Sequence, residues 1–169
     1  GRLVVGAGAG WMKEEFEILG ANFAERGRVT DEYLAAFIEL WTSERPRFHG
    51  EHVRFDNVVF EPKPRQTPYP PLWIGGESPP AIRRAIAVGD VWYPGNNSQT
   101  MTLDSPARLA AGVEEVKARC AAAGRDPATL GLALLVQDVF GWEEARLADG
   151  TGRRMFSGTS ADMREDAEA

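Results

Sequence analysis

The chain has 169 residues, 43% hydrophobic and 26% charged, with a formal net charge of −6. That length leaves room for one sizeable core rather than two comfortable domains, and the composition excludes the disordered and membrane-embedded classes. The acidic balance, with no basic stripe, excludes non-specific nucleic-acid binding, and no apolar run approaches the ~20 residues of a membrane span.

Leu3-Val4-Val5 reads as a buried strand opening into Gly6-Ala7-Gly8-Ala9-Gly10-Trp11. The chain begins Gly1-Arg2-Leu3 without an initiating methionine or a secretory signal, and is expected to be a piece of a longer protein. The glycines invite comparison with a dinucleotide fingerprint, but that pattern needs glycine where Trp11 stands. Its acidic partner, roughly 20 residues on, would be Asp31 or Glu32, which begin a helix. What the glycines do permit is close backbone approach of something flat or bulky at a strand end, with Trp11 beside it.

Thr30 is expected to cap a helix whose apolar stripe is Leu34, Phe37, Ile38 and Trp41, and Pro46 ends it. Glu14 and Glu15 fit acid/base work less well than ordinary helix-start carboxylates, with Arg26 and Arg28 pairing with them or capping carbonyls. Residues 47–62 alternate around Val53, Phe55, Val58 and Phe60 and suggest a hairpin outside the main sheet. Alternation puts His49 and His52 on opposite faces, so no metal site is expected.

Five prolines between Pro62 and Pro71 stiffen the approach to Leu72-Trp73-Ile74, a short apolar run expected to be buried on both faces. Gly75 and Gly76 allow a sharp turn, and Ser78-Pro79 reads as an N-cap with proline at the first helical position. This strand–glycine–helix order is the most informative stretch of the chain: it suggests unpaired N–H groups at a helix start facing a phosphate. The plain alternative is an ordinary strand-to-helix turn. The helix after Ser78 places Ala81, Ile82, Ala85 and Ile86 on one face and Arg83 and Arg84 outward, until Gly89. Val91-Trp92-Tyr93 is a further strand, with Asp90 at its start; Trp92 reads equally as core or as pocket wall.

Ser105-Pro106 starts a long helix with the stripe Leu109, Val113, Val116 and Cys120, closed by Gly124. Cys120, the single cysteine, reads as core; it excludes an intramolecular disulfide framework and fits a cytoplasmic location. Leu130 to Val136 is a last apolar strand, and Thr159 or Ser160 caps a short tail helix. Strands alternating with helices imply parallel βα units.

Taken together, GRLVVGAGAGW, EEFEILG with Arg26-Gly27-Arg28, PRQTPYPPLWIGG and Gly89-Asp90-Val91-Trp92 resemble the luciferase-like monooxygenase superfamily, closest to its branch dependent on coenzyme F420. The resemblance implies a parallel (β/α)8 TIM barrel, present here as an incomplete barrel of about four strands with a hairpin insertion. Residues 1–11 would be a strand and its glycine-rich end, 12–67 a helical and hairpin insertion, 68–157 three further βα units, and 158–169 a truncated helix. It also implies a cofactor site formed by Gly8, Ala9, Gly10, Gly75, Gly76, Glu77, Ser78, Asp90 and Trp92, with Trp11 on the substrate side and no metal. The expected cofactor is coenzyme F420, with FMN as the alternative. Some deazaflavin dehydrogenases of the family carry glutamate where Trp11 stands, and many relatives have glycine at Val91, so no catalytic acid or base is carried over. On this resemblance, this stretch of chain would lack the family's first three strands and its last strand.

The resemblance implies an oxidoreductase that transfers hydride between reduced F420 and a small organic substrate, with an FMN-dependent monooxygenase as the nearest variant. A reading of another class is a non-catalytic half-barrel that binds a phosphorylated ligand or a partner subunit. Open sheet edges suggest a homo-oligomer, and a chain inactive alone.

Overall fold

The structure, a computed structural model, describes residues 1–96, 98, 100–136, 145–147 and 149–168. Four strands form one parallel sheet in the order β1 (Val5–Ala7), β4 (Leu72–Gly75), β5 (Val91–Tyr93) and β6 (Gly131–Leu132). Val5 stands opposite Leu72, Ile74 opposite Trp92, and Trp92 opposite Leu132. Between β1 and β4 lie α1 (Lys13–Ile18), α2 (Arg26–Thr42) and a two-stranded hairpin, β2 (Phe48–His49) with β3 (Arg54–Phe55). Helices α3 (Pro79–Val88) and α4 (Pro106–Ala122) follow β4 and β5, and α5 (Ser160–Glu168) closes the chain. Among the described residues no helix is long and apolar enough to cross a membrane.

The core lies on one face of the sheet. Leu34 of α2, Leu72 and Ile74 of β4, Ile82 and Ala85 of α3, Trp92 of β5, and Val116 and Cys120 of α4 pack into a single cluster. Because strand side chains alternate, the opposite face carries Gly6, Trp73, Gly75, Val91 and Tyr93. Trp73 is therefore half-buried on a face that no helix covers among the described residues, and the run Leu72–Ile74 is not buried on both sides as expected.

Other expectations shift for identifiable reasons. Strand β1 starts at Val5, leaving Leu3 57% and Val4 45% exposed. Among the described residues no strand pairs with β1 on its outer side, and Leu3 instead exchanges two backbone hydrogen bonds with the Gln66 side chain. Helix α2 begins at Arg26, after a 3₁₀ turn capped by Asn22, so Thr30 lies a turn inside it and donates its hydroxyl back to the Arg26 carbonyl at 2.7 Å. The hairpin pairs only Phe48–His49 with Arg54–Phe55; Val58 and Phe60 lie beyond it. Strand β6 covers two residues, although Ala133 and Leu135 still donate to Trp92 and Pro94. Pro94 has no N–H to return, which interrupts the ladder.

The remaining caps follow the sequence. Ser78 and Ser105 accept from Ala81 and Arg108 at the starts of α3 and α4, and Gly124 takes φ +77° after α4. Thr159 and Asp162 bond reciprocally at the start of α5. Arg84 does not point outward: it is buried, and joins α3 to α2 through Asp31 and the Gly27 carbonyl.

Candidate functional site

Parallel strands deliver their carboxyl ends to one side of a sheet, and here three such ends lie next to one another. After β1 come Gly8, Ala9, Gly10 and Trp11; after β4, Gly76, Glu77 and Ser78; after β5, Pro94, Gly95 and Asn96.

Gly10 has φ +80°, and a Cβ there would meet the Phe16 ring at 2.7 Å, so the turn requires glycine. Arg26 fixes it from α2, donating from Nε to the Gly10 carbonyl at 3.2 Å while its guanidinium lies 3.7 Å above the Phe23 ring. Beyond that turn Trp11 is 80% exposed, and around Gly8 a Cβ would meet nothing within 4 Å. Open space thus adjoins this strand end. Glu14 and Glu15 stand exposed in the first turn of α1, and neither Arg26 nor Arg28 pairs with them: Arg28 bonds Glu25 and Glu51 instead.

Gly76 has φ +102°, and a Cβ there would come within 3.0 Å of the Ala81 methyl. The helix start behind it is poorer in donors than the sequence suggested. Pro79 and Pro80 have no N–H, Ala81 donates to the Ser78 hydroxyl, and Ile82 donates to the Ser78 carbonyl. The donors that remain are the Glu77 and Ser78 amides, which meet no acceptor among the described residues. Any anion site here is built from the turn rather than from the helix, although the helix dipole still favours negative charge.

Two hydrogen bonds brace this turn against β5. Trp92 Nε1 donates to the Gly76 carbonyl at 3.0 Å, and the Glu77 carboxylate accepts from the Gly95 N–H at 2.5 Å. Trp92 is 1% exposed and belongs to the core; its indole supports the turn from behind. Asp90 lies at the other end of the sheet. Its carboxylate accepts from Leu72 N at 2.7 Å, where β4 begins, so the structure separates it from the strand-end residues it was expected to join.

Sequence reasoning passed over Trp73 and Tyr93. Their rings meet edge to face at 5.4 Å on the helix-free face, beside Gly6 and Gly75. The signal was available in Trp73-x-Gly75 and Val91-x-Tyr93, once period-2 alternation is applied to the two apolar runs. In these three loops Glu77 is the titratable side chain among the described residues, and it is already engaged. Among the described residues, these loops bring together backbone groups and aromatic rings rather than an acid–base pair.

His49 and His52 do not act together. His49 bonds Asp56 at 2.6 Å, and His52 lies in the hairpin turn, where strand alternation does not apply. There its imidazole joins Glu25 and Glu51, with ligand-type atoms within 4.8 Å of one another, an acidic neighbourhood that was not expected. Arg28 already pairs with both carboxylates, at 2.6 Å from Glu25 and 3.4 Å from Glu51.

Residues 1–167 match the luciferase-like monooxygenase family. The FMNH(2)-dependent dimethylsulfone monooxygenase of Pseudomonas putida is 35% identical over 127 residues, covering 73% of this chain and 33% of that protein. Among solved structures, the monooxygenase RslO1 from Streptomyces bottropensis superposes with TM-score 0.61 at 23% identity, over 78% of this chain and 40% of the other. An F420-dependent secondary alcohol dehydrogenase in complex with an F420-acetone adduct gives TM-score 0.60 at 25% identity, over 79% and 39%. The chain spans about a third of the length of the curated relatives it matches.

Proposed function

This chain belongs to the luciferase-like monooxygenase family, and from that premise we propose that it supplies the carboxyl-side part of an oxidoreductase using a reduced flavin or deazaflavin. The observation that carries the reading is the convergence of the Gly8–Gly10 and Gly75–Ser78 segments at one end of a parallel sheet, the end where barrel enzymes hold their sites.

The residues fit such a group. Gly6 and Gly75 leave the helix-free face low beside the Trp73–Tyr93 pair, which suits a flat ring. The Glu77 and Ser78 amides suit its phosphate, Gly8 to Gly10 line the ring, and exposed Trp11 faces a small organic substrate. Bound, the reduced cofactor supplies the electrons of the reaction. The residues of this chain hold the ring and the tail and keep the two strand ends in register.

Between the two cofactors, 35% identity to an FMNH(2)-dependent enzyme favours FMNH2, the alternative to the F420 expected from GAGAGW. Coenzyme F420 keeps support from the 25% identity to an F420-dependent dehydrogenase. Equilibrium titration of the complete protein with each reduced cofactor tests the choice: tighter binding of FMNH2 supports the first reading, tighter binding of F420 the second. A cytoplasmic location accords with the single, buried cysteine. Assembly with further copies accords with the outer edges of β1 and β6, which pair with no strand among the described residues.

A further inference from the structure

We propose that Glu77 is a positioning residue: its carboxylate holds the loop after β5 against the turn after β4, and so presents the turn's amides to the cofactor tail. The inference rests on the cofactor lying at the strand carboxyl ends, as proposed above.

Two hydrogen bonds run between the same two segments, both donated from the β5 side to the turn after β4. Trp92 of β5 donates to the Gly76 carbonyl, and Glu77 accepts from Gly95. The first is shielded in the core, since Trp92 is almost wholly buried. The second is charge-assisted and short at 2.5 Å. Asn96 N then donates to the Leu135 carbonyl at 3.0 Å, so the connection runs on to the segment after β6. Three neighbouring strand ends are thereby tied into one strap. Among the described residues, the Glu77 carboxylate is the side-chain acceptor that joins the turn after β4 to Gly95 in the loop after β5.

The sign of the charge argues for this role over ligand contact. A carboxylate aimed at a phosphate raises the cost of binding it, and Glu77 stands between Gly76 and Ser78 in the very turn whose free amides suit an anion. Committed to Gly95, the carboxylate faces protein rather than ligand. What the site needs from Glu77 is then an acceptor oxygen and not a charge.

The test compares Glu77→Gln, which keeps the acceptor, with Glu77→Ala, which removes it, both in the complete protein. Amide hydrogen exchange around Gly95 is measured without cofactor, and oxidised FMN and F420 are titrated by fluorescence. Expected are faster exchange at Gly95 and about tenfold weaker binding of the preferred cofactor for Ala, with Gln within about twofold of the parent in both. The proposal is overturned if Gln weakens binding as much as Ala, or if Ala leaves either exchange or affinity unchanged. Gly76→Val, run alongside, separates the two levels. If it too binds like the parent, the location of the cofactor has failed; if it binds weakly while Ala binds normally, only the role of Glu77 has.

Discussion

The Arg84 guanidinium donates to the Asp31 carboxylate at 2.5 Å from a side chain only 3% exposed, whereas Asp31 is 46% exposed. The pair links α3 to α2, with a second bond from Arg84 to the Gly27 carbonyl at 2.9 Å. Its asymmetry sets the consequence of breaking it. Removing Asp31 strands a buried cation; removing Arg84 leaves a carboxylate that water can solvate.

Asp31→Ala is therefore expected to destabilise the fold by about 3 kcal/mol, and Arg84→Met, which refills the volume, by clearly less. Urea denaturation of both variants reads this directly. Equal losses would show that the cost lies in packing rather than in the stranded charge.

Glu32 anchors the hairpin to α2 by accepting the N–H groups of Glu51, His52 and Val53. Burial raises its pKa, but those three amides and the nearby His52 outweigh burial and hold it below the ordinary carboxylate value of 4.5. A depressed folded-state pKa contributes stability above the unfolded value, and the contribution is lost as pH falls through the folded one. The parent should thus lose more stability than Glu32→Gln between pH 6 and pH 3. Asp149, held at about 2, and Asp162 act in the same direction in both proteins, so the difference between parent and variant isolates Glu32.

Gly50 lies against the same carboxylate: a Cβ there would sit 2.0 Å from Glu32 Oε1. Gly50→Ala should expel the Glu32 side chain and remove most of the pH-dependent difference just described. A variant that keeps the parent's pH profile would mean that the hairpin yields instead of the carboxylate.

Trp73 and Trp92 are neighbouring strand positions with opposite roles. Trp92→Ala should cost about 3–5 kcal/mol, as for a large residue removed from a packed core. Trp73→Ala should cost far less stability in this chain and should weaken cofactor binding, because its ring lies on the helix-free face with Tyr93. Thermal denaturation paired with titration separates the two effects.

Local chemistry was legible in the sequence. Ser78-Pro79 and Ser105-Pro106 start helices where capping preference puts them, and Gly89 and Gly124 end them. The alternation of strands with helices predicted the parallel sheet, because crossovers of that length force it. What could not be read were relations between distant segments. Arg84 looked like a surface residue because its partner, Asp31, is 53 residues away. Asp90 looked like a strand-end ligand, but its side chain turns back to Leu72 at the opposite end of the sheet. Trp73 was misplaced for a different reason: three apolar residues in a row do not say which face a helix will cover.

The central claim is that a reduced flavin or deazaflavin is held at the strand ends formed by Gly8–Gly10 and Gly75–Ser78. Its most direct test is titration of the complete protein and of Gly76→Val with FMNH2 and reduced F420. Gly76 has φ +102° and no room for a larger side chain, so valine must displace the turn. The account predicts saturable binding of one cofactor by the parent and at least tenfold weaker binding by the variant. Equal affinity in the two proteins, or no binding of either cofactor by the parent, would contradict it.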